Sequence, residues 1–178
     1  MADTHPGVRF AGRTVPAQAF PLLLLFGACA TILGAYGFEY IGGYEPCPLC
    51  LEQRGPYYLA IPVAALGLVL RLMDRAPRIS GPLFAAVGAI FLYSAYLGGF
   101  HAGVEWRWWP GPADCAVAAA GGGAGDITSL MAQLETARIV PCDEVQWRFL
   151  GLSFAGYNFL ISLALAALAL LAFRSRTA

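Results

Sequence analysis

The residues best equipped for chemistry are Cys47-Pro48-Leu49-Cys50, at the edge of a long apolar segment, with Arg54 one helical turn beyond Cys50. A thiolate attacks a disulfide, so a useful redox pair needs a cysteine of depressed pKa, an accessible partner sulfur and a destination for the electrons. Cys47 and Cys50 supply the pair. If the segment is helical, Cys50 and Arg54 stand at i and i+4 on one face, where the positive charge favours a thiolate. Pro46 and Pro48 stiffen the approach. The plainer alternative is a surface disulfide with Arg54 as an interfacial anchor. Cys115 and Cys142 add two more sulfurs, with 26 residues between them. A disulfide closing that loop would stabilise the fold by about 3.5 kcal/mol in the chain-entropy model, which is reason enough for a staple. The enclosed segment, however, is rich in Gly and Ala and offers little core to hold. Four such cysteines in two segments suit a relay, in which one disulfide meets a protein and the other, near lipid, meets a membrane-soluble acceptor.

The elements that must position these residues follow from composition. Apolar residues make up 58% of the 178 and charged residues 12%, a balance too oily for a soluble domain. Four stretches lack Asp, Glu and Arg, and Lys is absent throughout: Thr14 to Phe38, Gly55 to Leu70, Ile79 to Gly103 and Phe149 to Phe173. Each approaches the ~20 residues that a helix needs to cross the hydrocarbon. The expected fold is an all-α, four-transmembrane-helix bundle forming one membrane domain over 1–178, with helices at about 16–38, 50–73, 79–100 and 150–173 and outer loops at about 39–49 and 101–149. The second stretch is short, so its helix extends past its ends. It runs back through Arg54 toward Cys50 with Pro56 as a kink, or it starts at Pro56 and leaves the cysteine pair in a loop just above the bilayer.

Four crossings put both termini and the loop between the second and third helices on one side. That side carries seven arginines and two acids, net +5; the other carries four arginines and nine acids, net −5. By the positive-inside rule the first side is cytoplasmic, and Cys47, Cys50, Cys115 and Cys142 face a compartment where disulfides persist. The first apolar run exceeds the usual core of a secretory signal, and Cys29 within it reads as an inert packing residue. In the second outer segment, Trp106, Trp108 and Trp109 read as an aromatic belt. Ala118 to Gly125 should be mobile, and Asp126 with Ile127, Leu130, Met131 and Leu134 predicts a short amphipathic helix on the membrane.

These motifs resemble the bacterial inner-membrane disulfide oxidoreductases of the disulfide bond formation protein B (DsbB) family. The resemblance covers almost the whole chain: Pro-Cys-x-x-Cys followed by Arg54, a long second outer loop with two cysteines, His101-Ala102-Gly103-Val104-Glu105, and Cys142-Asp143-Glu144-x-x-Trp147-x-Phe149-Leu150-Gly151-Leu152 leading into the last helix. It implies a quinone-dependent thiol oxidase whose partner is the thioredoxin-fold oxidase DsbA in the periplasm. Cys115 is then the sulfur attacked by reduced DsbA, and Cys142, its disulfide partner, exchanges with Cys47. Cys50 faces the quinone, either ubiquinone or menaquinone, where Arg54 stabilises thiolate and reduced ring oxygen and His101 lies nearby. No metal and no nucleic acid are expected.

Other readings are a specialised paralogue serving a dedicated partner, or a non-enzymatic bundle with structural disulfides. A four-thiolate zinc site lacks its second close pair. Relatives of vitamin K epoxide reductase place their C-x-x-C differently.

Overall fold

The computed structural model describes residues 7–10, 13–16, 18–73, 77–112 and 140–175. Helix α1 spans Ala19–Tyr40, α2 Pro48–Glu52, α3 Gly55–Leu72, α4 Pro77–Glu105 and α5 Phe154–Arg174. Two antiparallel hairpins accompany them: β1 (Gly7–Phe10) with β2 (Arg13–Pro16), and β3 (Arg148–Phe149) with β4 (Leu152–Ser153). Four helical spans are long and apolar enough to cross a membrane: Ala19–Tyr40, Pro48–Leu72, Ile79–Glu105 and Phe154–Arg174. The expected four-helix membrane fold is therefore present. The amphipathic helix expected after Asp126, the Ala-Gly run and Cys115 lie outside the described residues.

The boundaries depart from expectation where polar residues turn inward. Helix α4 continues to Glu105, past the expected end near 100, because His101 and Glu105 are sequestered among protein groups and need no water. The second crossing takes the first of the two anticipated forms, a helical span over Pro48–Leu72 that runs back through Arg54 past Cys50, with a two-residue interruption. Cys47 caps the single turn α2, with Pro48 in its first turn; the chain breaks at Gln53 and Arg54, and α3 restarts at Gly55 with Pro56 in its first turn. Proline suits that position because its missing N–H would find no intrahelical partner there.

The core runs along the bundle axis and includes Leu24, Ala28, Tyr57, Ala60, Phe84, Val87, Phe91, Leu165 and Ala169. Leu22, Phe26, Leu33, Leu92 and Leu160 point outward, as lipid-facing positions do. In hydrocarbon, close packing rather than water exclusion drives helix association, and small residues allow it. A Cβ on Gly98 would lie 2.8 Å from Phe159 N and 3.2 Å from Ala155 O, so α4 and α5 meet backbone to backbone.

Capping completes the frame. Arg71, at the end of α3, donates to Ala172 O (3.1 Å) and Ser175 Oγ (2.9 Å), satisfying a terminal carbonyl of α5. Helix α4 ends in a Schellman arrangement, with Trp108 N–H to Gly103 O and Arg107 N–H to Val104 O around Arg107 at φ 60°. Leu150 (φ 49°) and Gly151 (φ 83°) make the two-residue turn of the β3–β4 hairpin, where both central positions need positive φ. Ser153 then caps α5 by accepting from Gly156 N–H at 3.3 Å.

Candidate functional site

The site forms where α2, the end of α4, the segment around Cys142 and the start of α5 converge. Cys47 and Cys142 are 3% and 2% exposed and share a buried cluster with Leu49 and Val104, with Cys50 packed alongside. Cys47 and Cys50 are free thiols with Sγ atoms 2.8 Å apart, whereas Cys142 is disulfide-bonded. The structure therefore brings three of the four predicted cysteines together; the fourth, Cys115, is outside the described residues.

The sulfur that collects hydrogen-bond donors is Cys47. It sits as N-cap of α2 and accepts from Cys50 N–H at 3.3 Å, and His101 Nε2 lies 3.7 Å away. These contacts pull the Cys47 thiol down to about 5. The hydrogen bond with the Cys50 thiol, 2.8 Å away, is the largest cause; burial works against it, and the His101 hydrogen bond adds to it.

Arg54 follows Cys50 within the Pro48–Leu72 span, at the interruption between α2 and α3. Its Nη1 donates to Glu39 Oε2 at 2.6 Å, and its guanidinium lies 5.2 Å from the Tyr36 ring centroid. Spacing alone suggested that Arg54 would stabilise a Cys50 thiolate. The pairing with Glu39 gives the guanidinium a carboxylate partner, and Cys50 and Arg54 line one cavity.

Beside Cys50 opens a cavity of about 440 Å³ between α1 and α5. Cys50 and Arg54 line its wall with Gln53, Asn158 and a set of aromatic rings. Among these rings, Trp147 stacks on Phe154 with centroids 4.7 Å apart, and Phe38 meets Phe154 edge-on at 4.9 Å. Gln146 Nε2 donates to Glu45 O at 2.6 Å and ties the segment after Cys142 to the loop before Cys47. Apolar and aromatic walls with a few convergent polar groups are the usual make-up of a small-molecule site. They fit a flat, lipid-soluble ring.

His101, expected near the ring-binding site, is not among the lining residues of that cavity. Its Nε2 lies 3.2 Å from Cys142 O and 3.9 Å from Glu105 Oε1, and its Nδ1 2.7 Å from Gln53 Nε2. Glu105 in turn accepts from Ser153 Oγ. Cys47, Cys50 and His101 bring one potential ligand atom each within 4.8 Å, one short of a closed structural zinc site.

Sequence reasoning missed Glu39, Gln53, Asn158 and Trp147. Asn158 had a signal, since a carboxamide inside an otherwise apolar 25-residue stretch is costly unless it is paired. Trp147 was recorded only as part of a motif. Glu39 and Gln53 had no distinguishing signal, because their meaning depends on helices that meet only in the bundle.

A model described as "Disulfide bond formation protein DsbB" matches residues 17–172. A disulfide bond formation protein B from a Polaromonas species is 30% identical over 164 residues, covering 85% of this chain and 87% of that one. One from Aromatoleum aromaticum is 31% identical over 159 residues, covering 80% and 84%. One from Nitrosococcus oceani is 31% identical over 154 residues, covering 82% and 85%. No solved structure matches the chain.

Proposed function

The chain belongs to the disulfide bond formation protein DsbB family, a multi-pass membrane protein by its four apolar helices, and we propose that it reoxidises a periplasmic DsbA-type thiol oxidase and passes the electrons to a membrane quinone. The observation that carries this reading is the position of the Cys47-Cys50 pair. Cys47 shares a buried cluster with Cys142 on one side, and Cys50 lines the apolar cavity on the other.

Each step conserves electrons. A thiolate of the reduced partner attacks Cys115 in a Cys115–Cys142 disulfide, and Cys142 leaves as thiolate. The partner's second thiol breaks the mixed disulfide, so the partner departs oxidised and both loop cysteines are reduced. Cys142 then attacks Cys47 of the Cys47–Cys50 disulfide and releases Cys50; Cys115 resolves the Cys47–Cys142 bond and restores the loop disulfide. The two electrons now reside on Cys47 and Cys50. The low pKa of Cys47 makes it a good leaving thiolate in that last exchange.

The aromatic walls and Arg54 would hold a quinone in the cavity, and it would supply the oxidising power as a two-electron, two-proton acceptor. Cys50, on the cavity wall, is the sulfur that faces it. His101 serves the thiol side of the pair, since its Nε2 addresses Cys47 and Cys142. The arginine asymmetry supports an orientation with both termini in the cytoplasm and the cysteine segments in the periplasm of a bacterial inner membrane.

The test is the purified protein with a reduced DsbA-type partner and a soluble quinone analogue, followed by quinone absorbance. Cys115→Ser or Cys142→Ser should stop partner oxidation yet leave Cys47-Cys50 oxidisable by the quinone; Cys47→Ser or Cys50→Ser should abolish quinone reduction. Full partner turnover by Cys115→Ser would make the loop disulfide a staple and end this reading.

A further inference from the structure

A chain of side-chain amides leads from the bundle interior to His101, and its direction is fixed by one backbone carbonyl. Gln53 Nε2 lies 3.2 Å from Leu49 O. A carbonyl oxygen only accepts, so the Gln53 atom facing it is the amide nitrogen. The other hydrogen of that nitrogen points to His101 Nδ1, 2.7 Å away. Gln53 Oε1 is then free to accept from Asn158 Nδ2 at 2.7 Å, and Asn158 Oδ1 accepts from the Tyr57 hydroxyl at 2.8 Å. Gln53, His101 and Tyr57 are all buried, so water does not compete for these bonds.

We infer that Gln53, oriented by Leu49 O and Asn158, is a positioning residue that holds His101 in the Nε2-protonated tautomer, so that the ring presents its one N–H to the sulfur-exchange centre. Nδ1 receives a hydrogen from Gln53 and therefore carries none of its own; the proton resides on Nε2. That nitrogen lies 3.2 Å from Cys142 O and 3.7 Å from Cys47 Sγ. Both are acceptors, and Cys47 is a stronger one whenever its disulfide opens and leaves it as thiolate. The opposite tautomer would set the Nε2 lone pair against both of them and set Nδ1–H against the Gln53 amide hydrogen. Two mismatches would replace two hydrogen bonds.

The chain is a scaffold and not a proton path, because a carboxamide N–H does not hand its proton on. The ionisable groups that face the ring are Cys47 and Cys50 at the start of α2 and Glu105 on α4, whose other oxygen is held by Ser153; Asn158 of α5 reaches it only through Gln53. The inference rests on the redox role proposed above for Cys47, but the ring's tautomer can be read without any turnover.

The chain has two histidines, so His5→Gln leaves His101 as the only nitrogen-labelled imidazole. Ring nitrogen shifts of 15N-histidine protein in detergent micelles, recorded at a pH where the ring is neutral, should show a protonated Nε2 and a bare, hydrogen-bonded Nδ1. Gln53→Glu, whose carboxylate only accepts, should move the proton to Nδ1; Gln53→Met should give a mixture. A protonated Nδ1 in the parent protein overturns the inference whatever the variants do. So does a tautomer that Gln53→Glu leaves unchanged. Failure of quinone reduction with the tautomer intact would instead count against the proposed electron relay.

Discussion

Glu39 Oε2 lies 2.6 Å from Arg54 Nη1, so the guanidinium on the cavity wall is already paired, across 15 residues, with the end of α1. Arginine has five donors in a fixed fork, and one carboxylate oxygen leaves several of them for a ligand. Glu39 thus aims Arg54 without consuming it. Arg54→Met should raise the apparent KM for a soluble quinone analogue at least about tenfold, as loss of a charge-assisted hydrogen bond worth roughly 1.5–3 kcal/mol. Arg54→Lys and Glu39→Gln should each raise it less, by about threefold, since they disturb the fork without removing it. All three should leave exchange with the protein partner unaltered. An unchanged KM in Arg54→Met would reduce Arg54 to a structural ion pair.

The depressed Cys47 pKa predicts the pH dependence of the redox pair. Its folded value, about 5, lies below the ordinary thiol value of 9.0. The ionised form therefore favours the reduced pair in solutions well above pH 5, and this advantage is lost as pH falls through 5. Below that point reduction takes up two protons, and above it one. For a two-electron couple the slope should change from about −59 to about −30 mV per pH unit near pH 5. Equilibration of Cys47-Cys50 with thiol buffers between pH 4 and 8 measures it; a single slope of about −59 mV throughout would mean that Cys47 is not depressed.

Orientation is tested by labelling from one side. In a cysteine-free variant, Glu45→Cys should react with a membrane-impermeant maleimide in intact spheroplasts, and Met73→Cys only in inverted vesicles. Both positions are exposed in the structure, so access is set by the side of the membrane alone. The reverse pattern would place the cysteine segments in the cytoplasm and remove the oxidising compartment from the argument.

The α4–α5 contact at Gly98 should be intolerant of any side chain. Gly98→Ala puts a methyl 2.8 Å from Phe159 N and 3.1 Å from Phe159 Cα, and such overpacking costs about 1–3 kcal/mol. At Gly34, where nothing lies within 4 Å of a built Cβ, the same substitution should be neutral or stabilise α1 by up to about 1 kcal/mol. Thermal unfolding in detergent compares the two; equal midpoints would mean that the helices are not in backbone contact at Gly98.

What the sequence by itself determined is whatever a segment settles with the solvent around it. Hydrocarbon demands a run of apolar residues with every backbone group paired internally, so the lengths of the four apolar stretches specify four helices before any contact is known. The Cys47-x-x-Cys50 spacing likewise brings two sulfurs together, because only one short turn separates them. Tertiary structure decided the rest. Cys47 finds a further hydrogen-bond partner in His101, 54 residues away, and the state of Arg54 depends on α1. Asn158, an oddity in an oily helix, acquires meaning only through Gln53. In each case the deciding energy is a hydrogen bond or ion pair between groups on different helices. Sequence order does not encode which helices touch, because in lipid that choice is made by the fit of small residues such as Gly98, summed over whole faces.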